Sequence, residues 1–283
     1  MEKNVTWACP NCDAPVFSPY CPRCGEHERH TRELTLRPLF DQFFEAVTSI
    51  DGRLLRSFRY LVRRPGALTI AYLRGQRKPY LGPIALFLLI NVLFFAMESL
   101  TGGKVFTTPL ESHLHTQPWS GADIIQNLVA HRLAVKQTTL ESYAPVFNQA
   151  VAIKARSLII LMALSFALAP AIVFRGSHRP FVAHVVFSLY FYAFVLLLLS
   201  VATTIPAVSA WLGGAGLESE ILDHAISIGL LIASAVYLYF SAGTVYGERG
   251  LALVLKTGVL TIAVAFVLLG YRFILLLITL FLT

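Results

Sequence analysis

Residues 81–100 read LGPIALFLLINVLFFAMESL, and this stretch decides the class of fold. A helix needs ~20 mostly apolar residues to cross ~30 Å of hydrocarbon. Four further runs of the same kind follow, at 157–174, 181–206, 222–246 and from Leu251 to Thr283. The last is long for one span and short for two, and it carries Arg272. It is read as one span over 251–275 with an apolar tail. The expectation is an all-α polytopic membrane protein with about five transmembrane helices. Composition agrees: 56% of the residues are hydrophobic and 14% charged, where soluble domains carry ~25% charged residues. Those values exclude a disordered chain and argue against a pair of soluble domains.

Working upstream, the chain becomes basic. Residues 51–80 hold Arg53, Arg56, Arg59, Arg63, Arg64, Arg74, Arg77 and Lys78 against the single acid Asp51. The net charge of +7 is therefore concentrated beside the first span. Lys and Arg flanking a span mark its cytosolic side. The connection between the second and third spans carries Arg175 and Arg179 and no acid, whereas the next carries Glu218, Glu220 and Asp223 and no base. The connection 101–156 is mixed in charge and is expected outside. Together these place the N-terminus in the cytosol and, after five spans, the C-terminus outside. No signal peptide is visible, so the first apolar run serves as the insertion signal.

Further upstream lie all four cysteines of the chain, Cys9, Cys12, Cys21 and Cys24, as C-P-N-C-x8-C-P-R-C-G. Two Cys-x-x-Cys pairs give four thiolates for one tetrahedral metal, the ligand set of structural zinc, with no coordination position left open for catalysis. Residues 1–30 offer few apolar side chains, so one bound zinc would supply the folding energy. Iron, a disulfide pair and a redox dithiol use the same residues. The cytosolic placement and the short spacing favour zinc over each of them. His27 and His30 are substitute ligands at most.

Between head and span, residues 31–80 read as basic amphipathic helices. Leu39, Phe40, Phe43, Phe44 and Val47 recur at helical spacing. Leu54, Leu55, Phe58, Leu61 and Val62 form a second apolar set, interleaved with arginines. Gly52 and Pro65-Gly66 mark the breaks. The candidate lipid-interface residues are Arg53, Arg56, Arg59, Arg63, Arg74, Arg77 and Lys78, set against an anionic inner leaflet. The membrane accounts for these charges, so nucleic acid is not an expected partner.

The cysteine head, the arginine-rich linker and the R-G-x-R-x-x-Y-x-x-P stretch, Arg74 to Pro83, resemble an uncharacterised bacterial family of zinc-ribbon integral membrane proteins. The resemblance covers residues 7–95 and rests on Tyr20-Cys21-Pro22-Arg23-Cys24-Gly25. The first knuckle departs from it, since Asp13 follows Cys12 where the family has glycine. The topology also resembles, loosely, the Yip-type five-span proteins. The family resemblance implies a bacterial inner (plasma) membrane location and brings no molecular function with it.

Inside the spans, His184 and Arg272 are the ionisable candidates, because such groups are costly to bury. His184 suits helix packing near the cytosolic interface. Arg272 lies about 24 Å along a helix from Lys256, near the outer headgroups. A span shifted toward the C-terminus would instead require a partner such as Glu98. His113 and His115 offer at most a weak metal pair. No catalytic constellation is recognisable, so the chain reads as no enzyme. The leading expectation is a non-enzymatic scaffold or regulator whose zinc ribbon docks a partner protein. The alternative is a transporter, channel or lipid-handling protein with a pathway between the spans. A lipid-modifying enzyme is weaker still. Gly243-x-x-x-Gly247 suggests a homo-oligomer.

The domain boundaries expected are 1–30, 31–80 and 81–283. Orientation is testable with reporters. Alkaline phosphatase fused after Thr283 should be active and a fluorescent protein at the same point dark; the opposite pattern would reverse the topology.

Overall fold

The computed structural model describes residues 7–24, 26, 52–101, 105–106, 110, 122–213 and 220–283. The expected helix over residues 31–51, together with Gly25, His27, His30, His113, His115 and Glu218, lies outside the described residues. So do the side chains of Glu220 and Asp223.

A two-stranded hairpin, β1 (Trp7–Ala8) and β2 (Pro15–Val16), comes first. Helices follow as α1 (Arg53–Arg63), α2 (Ala67–Leu73), α3 (Pro83–Thr101), α4 (Ala122–Lys136) and α5 (Leu140–Leu158). The chain continues through α6 (Ile160–Phe166), α7 (Leu168–Val173), α8 (Phe181–Trp211), α9 (Glu220–Tyr246) and α10 (Gly250–Leu282). Four of these, α3, α8, α9 and α10, are each long and apolar enough to cross a membrane. Counting a bent pair as one span raises the number to five. These long apolar helices mark a membrane protein.

The span expected at 157–174 falls on the second arm of the bent pair. Helix α5 and the α6–α7 segment meet at an angle of 51°. A kink frees carbonyls from the i to i−4 ladder, and buried carbonyls need donors. Tyr271 OH donates to Ala155 O at 2.9 Å, and Asn91 Nδ2 donates to Arg156 O at 3.3 Å. Those are the carbonyls next to the break, so side chains of α10 and α3 satisfy it from outside. The second break, at Ala167, has a local cause. Pro170 has no N–H to offer Phe166 O, and beside it Ala167 N makes a tighter i to i−3 bond to Leu164 O at 3.2 Å.

Helix α8 is the axis of the bundle. It packs against α3 and also touches α2, α6, α7 and α9. Its apolar window is 67% buried, against 22% for α9. Aromatic side chains fill the seams: Phe166 packs on Phe191 at 5.2 Å, and Phe194 stacks on Tyr237 at 3.8 Å. The outer faces of α9 and α10 are apolar and exposed, as lipid contact requires.

Helix α10 does not stop at residue 275. Thirty-three residues extend about 50 Å, well past a ~30 Å core. The surplus turns lie against the connection 101–156. Tyr143 OH bonds Thr283 Oγ1 at 2.7 Å, and Arg132 NH2 donates to Phe281 O at 3.2 Å. Gly243-x-x-x-Gly247 is used within the chain. A Cβ on Gly243 would sit 3.1 Å from Leu253 Cδ2 of α10, and Gly247 lies past the end of α9 with φ +73°. The oligomer expectation therefore takes no support from this motif.

The collar of α1 and α2 is keyed to the bundle at two points. Gly66, with φ +80°, touches α9 so closely that a Cβ would lie 2.7 Å from Ser241 O. Leu81, just before α3, has both backbone groups held by side chains. Its N–H donates to Ser57 Oγ at 2.8 Å, and its carbonyl accepts from Tyr190 OH at 3.0 Å. Removing a partner of a buried backbone group costs about 1–3 kcal/mol. Ser57→Ala should therefore lower stability by about 2 kcal/mol in detergent unfolding, whereas an Ala substitution at exposed Arg59 should leave it nearly unchanged. Equal effects would refute the clamp.

Candidate metal centre and basic collar

The hairpin exists to hold cysteines. Trp7 pairs with Val16 and Ala8 with Pro15, and Cys9 N donates to Ala14 O at 3.0 Å. The turn between them closes with Asp13 N donating to Cys9 O at 2.8 Å. Asp13 takes φ +54° there. That is the left-handed position for which glycine is the default and Asp is tolerated. The departure from the family pattern is thus absorbed by the backbone. The second turn is closed by Cys21 N donating to Glu26 O at 2.7 Å.

The four Sγ atoms of Cys9, Cys12, Cys21 and Cys24 lie within 4.8 Å of one another. Cys9 and Cys24 are 3.4 Å apart and Cys12 and Cys21 3.6 Å. A tetrahedron with metal–sulfur bonds of ~2.3 Å has edges of about 3.8 Å, so the cluster could hold one metal ion with little movement. All four are free thiols rather than disulfides. Burial pushes the Cys9 thiol up to about 12. Burial also opposes ionisation at Cys24, but hydrogen bonds from the Asn11 side chain and the Glu26 backbone outweigh it and bring the thiol down to about 7.

The head sits on the collar. Gly75 ends α2 in a Schellman turn, with φ +86°, Gly75 N bonded to Tyr72 O and Gln76 N to Ala71 O. That turn projects Gln76, whose Nε2 donates to Pro10 O at 2.7 Å inside the first Cys-x-x-Cys loop. Lys78 N donates to Glu26 Oε2 at 3.4 Å, just after the second. Both cysteine turns therefore meet the same three-residue stretch of collar, Gln76 to Lys78.

In α1, Leu54, Phe58 and Leu61 face the core, but Leu55 and Val62 are exposed among Arg56, Arg59 and Arg63. The single apolar face expected from sequence is therefore split between two environments. Arg53 is half-buried, and Arg74 and Lys78 are exposed. Arg77 is half-buried, with its guanidinium 4.8 Å from the Tyr72 ring. Arg64, outside the candidate lipid-interface set, lies 5.2 Å over the Tyr60 ring, and the Tyr60 and Tyr80 centroids are 5.0 Å apart. A hydrogen bond from Tyr80 and then the nearby Arg64 hold the Tyr60 phenol below its usual range. Burial first, and the same bond, push Tyr80 up to about 12.

The two membrane-embedded candidates are both engaged. His184 is buried, and its Nδ1 shares a hydrogen bond with Tyr246 OH at 2.8 Å. Tyr246 stacks on Phe174 at 3.9 Å, and Lys256, ion-paired with Glu248, lies 5.1 Å over Phe174 on the other side. Arg272 is half-buried and donates to Val105 O at 3.3 Å, while Val105 N donates to Glu98 Oε1 at 2.8 Å. Arg272 and Glu98 thus grip the two sides of one residue. His184, on α8, and Arg272, on α10, lie in separate clusters.

Residues 51–95 match a family described as a protein of unknown function (DUF3667). The match covers the collar and α3 and begins after the cysteine head, so it is shorter than the resemblance over 7–95. No curated protein and no solved structure matches the chain.

Elemental analysis should find about one metal ion per purified chain and almost none in the Cys9→Ser/Cys21→Ser variant. A wild-type content below about half an equivalent would remove the metal centre.

Proposed function

We propose that the protein is a non-enzymatic membrane scaffold of the bacterial inner membrane. In this reading a cytosolic ribbon, held by one structural zinc ion, offers a docking surface to a partner protein. The observation that carries it is the seat of the ribbon: Gln76 on Pro10 and Lys78 on Glu26 hold both cysteine loops against the collar. A domain fixed in this way presents one face at a set height above the bilayer. Zinc is favoured because four thiolates suit it, and a closed four-ligand site leaves nothing to bind substrate. A tetrathiolate with zinc carries two net negative charges, which the basic collar beneath it balances.

The surface offered includes Phe17 and Tyr20, 70% and 62% exposed. Large aromatic side chains exposed on so small a ribbon suit a protein interface. The transport alternative draws less support, because Arg272, Glu98 and His184 are each committed to hydrogen bonds that tie helices or loops together.

The test separates folding from docking. Phe17→Ala should keep zinc at the wild-type level yet weaken capture of the native partner from cross-linked membranes by about tenfold. Cys9→Ser/Cys12→Ser should lose both. Unchanged partners in the cysteine variant would overturn the docking reading.

A further inference from the structure

A second site lies on the collar, away from the cysteines. A cavity of about 470 Å³ opens where α1, α2, the turn after α2, the loop before α8 and the end of α9 meet. Its polar lining is Tyr60, Arg74, Gln76, Tyr80, Arg179 and Thr244, and its floor includes Ile70 and Ala71. None of the lining residues is acidic. It adjoins a second cavity of about 610 Å³, lined by Arg56, Arg59, Arg63 and Arg64, through the shared Tyr60.

Two guanidiniums and the Tyr60 phenol, whose oxygen accepts from Tyr80, line one small space and make a donor set for a phosphate group. Guanidinium forks match phosphate oxygens, and charge-assisted bonds are the strong ones. Arg179 is held in place, since its NH2 donates to Val245 O at 3.1 Å at the C-terminus of α9. No stretch of sequence links Arg74 to Arg179; only the docking of α2 on α9 brings them to one cavity.

The cavity also has an apolar exit. Thr244 continues an i, i+4 row on α9 formed by Ile228, Ile232, Val236 and Phe240. Those four side chains are each 48–58% exposed. Such rows form continuous ridges and grooves along a helix. A molecule with its phosphate at Arg74 and Arg179 could lay a hydrocarbon tail along that row.

We propose that this groove binds the phosphate headgroup of an anionic phospholipid, with an acyl chain lying along α9. The inference is independent of the docking role of the ribbon. It uses the lipid-facing side of the collar, and a failed partner assay would leave it standing.

Full-length protein in neutral detergent is titrated with phosphatidic acid and bound lipid is counted by native mass spectrometry. Phosphatidylcholine and glycerol 3-phosphate form separate arms. Saturable phosphatidic acid binding is expected, with phosphatidylcholine at least about tenfold weaker and glycerol 3-phosphate a poor competitor. Arg74→Gln should weaken phosphatidic acid by about tenfold and Arg74→Gln/Arg179→Gln by more. Arg175→Gln, in the same loop as Arg179 but outside the cavity, should leave binding unchanged. Because Arg179 also caps α9, Tyr60→Phe/Tyr80→Phe provides a second route and should weaken binding without removing charge. Equal binding of phosphatidylcholine overturns the proposal, as does an Arg74→Gln variant that binds like wild type. Displacement by glycerol 3-phosphate at the same concentration as lipid overturns the phospholipid assignment in favour of a soluble phosphate.

Discussion

Leu81 carries the junction on which the rest of the molecule depends. Pro79 and Pro83 flank it, so the chain approaches α3 without helical hydrogen bonds of its own. A buried backbone there needs partners, and it takes them from two other elements. Ser57 of α1 accepts from the N–H and Tyr190 of α8 donates to the carbonyl. One residue thereby ties the amphipathic collar, the first span and the central helix together. The close approach of Gly66 to Ser241 adds α9 to the same unit. The family match over residues 51–95 covers α1, α2 and most of α3, including Ser57 and Leu81, while Tyr190 and Ser241 lie outside it.

From that junction the collar end of the bundle is organised by charge. The collar is strongly basic, and three features sit on it with different needs. The cysteine ribbon rests on the turn after α2 through Gln76 and Lys78. The arginines of α1 face outward beside Leu55 and Val62, a mixture suited to a headgroup layer. The cavity between Arg74 and Arg179 collects positive charge in one concave place. A like-charged surface of this kind costs self-repulsion unless anions compensate it. Thiolates on one side and lipid phosphates on the other would both do so.

Polar groups within the bundle are spent on geometry. Asn91 and Tyr271 cap the carbonyls next to the 51° break, and Glu98 with Arg272 clamps Val105. Tyr143 and Arg132 hold the end of α10. In hydrocarbon an unsatisfied backbone group costs several kcal/mol, which is why broken or overlong helices recruit side chains from far along the chain.

The sequence alone determined the class of the protein, because membrane spans are a local property. Twenty apolar residues in a row form a helix across the bilayer whatever surrounds them. Cysteine spacing is equally local: two Cys-x-x-Cys pairs predicted a four-thiol cluster, and the thiols converge. The basic collar was legible for the same reason. What periodicity missed were contacts between residues distant in the chain. Arg74 and Arg179 meet only because Gly66 lets α2 lie on α9. The break between α5 and α6 could not be read locally, since Tyr271 and Asn91 satisfy the carbonyls beside it from other helices. Gly243 on α9 packs against Leu253, and Gly247 makes the turn after α9. Helical periodicity fixes which side chains share a face, but neighbouring elements decide what each face meets, and that depends on packing that only the folded chain defines.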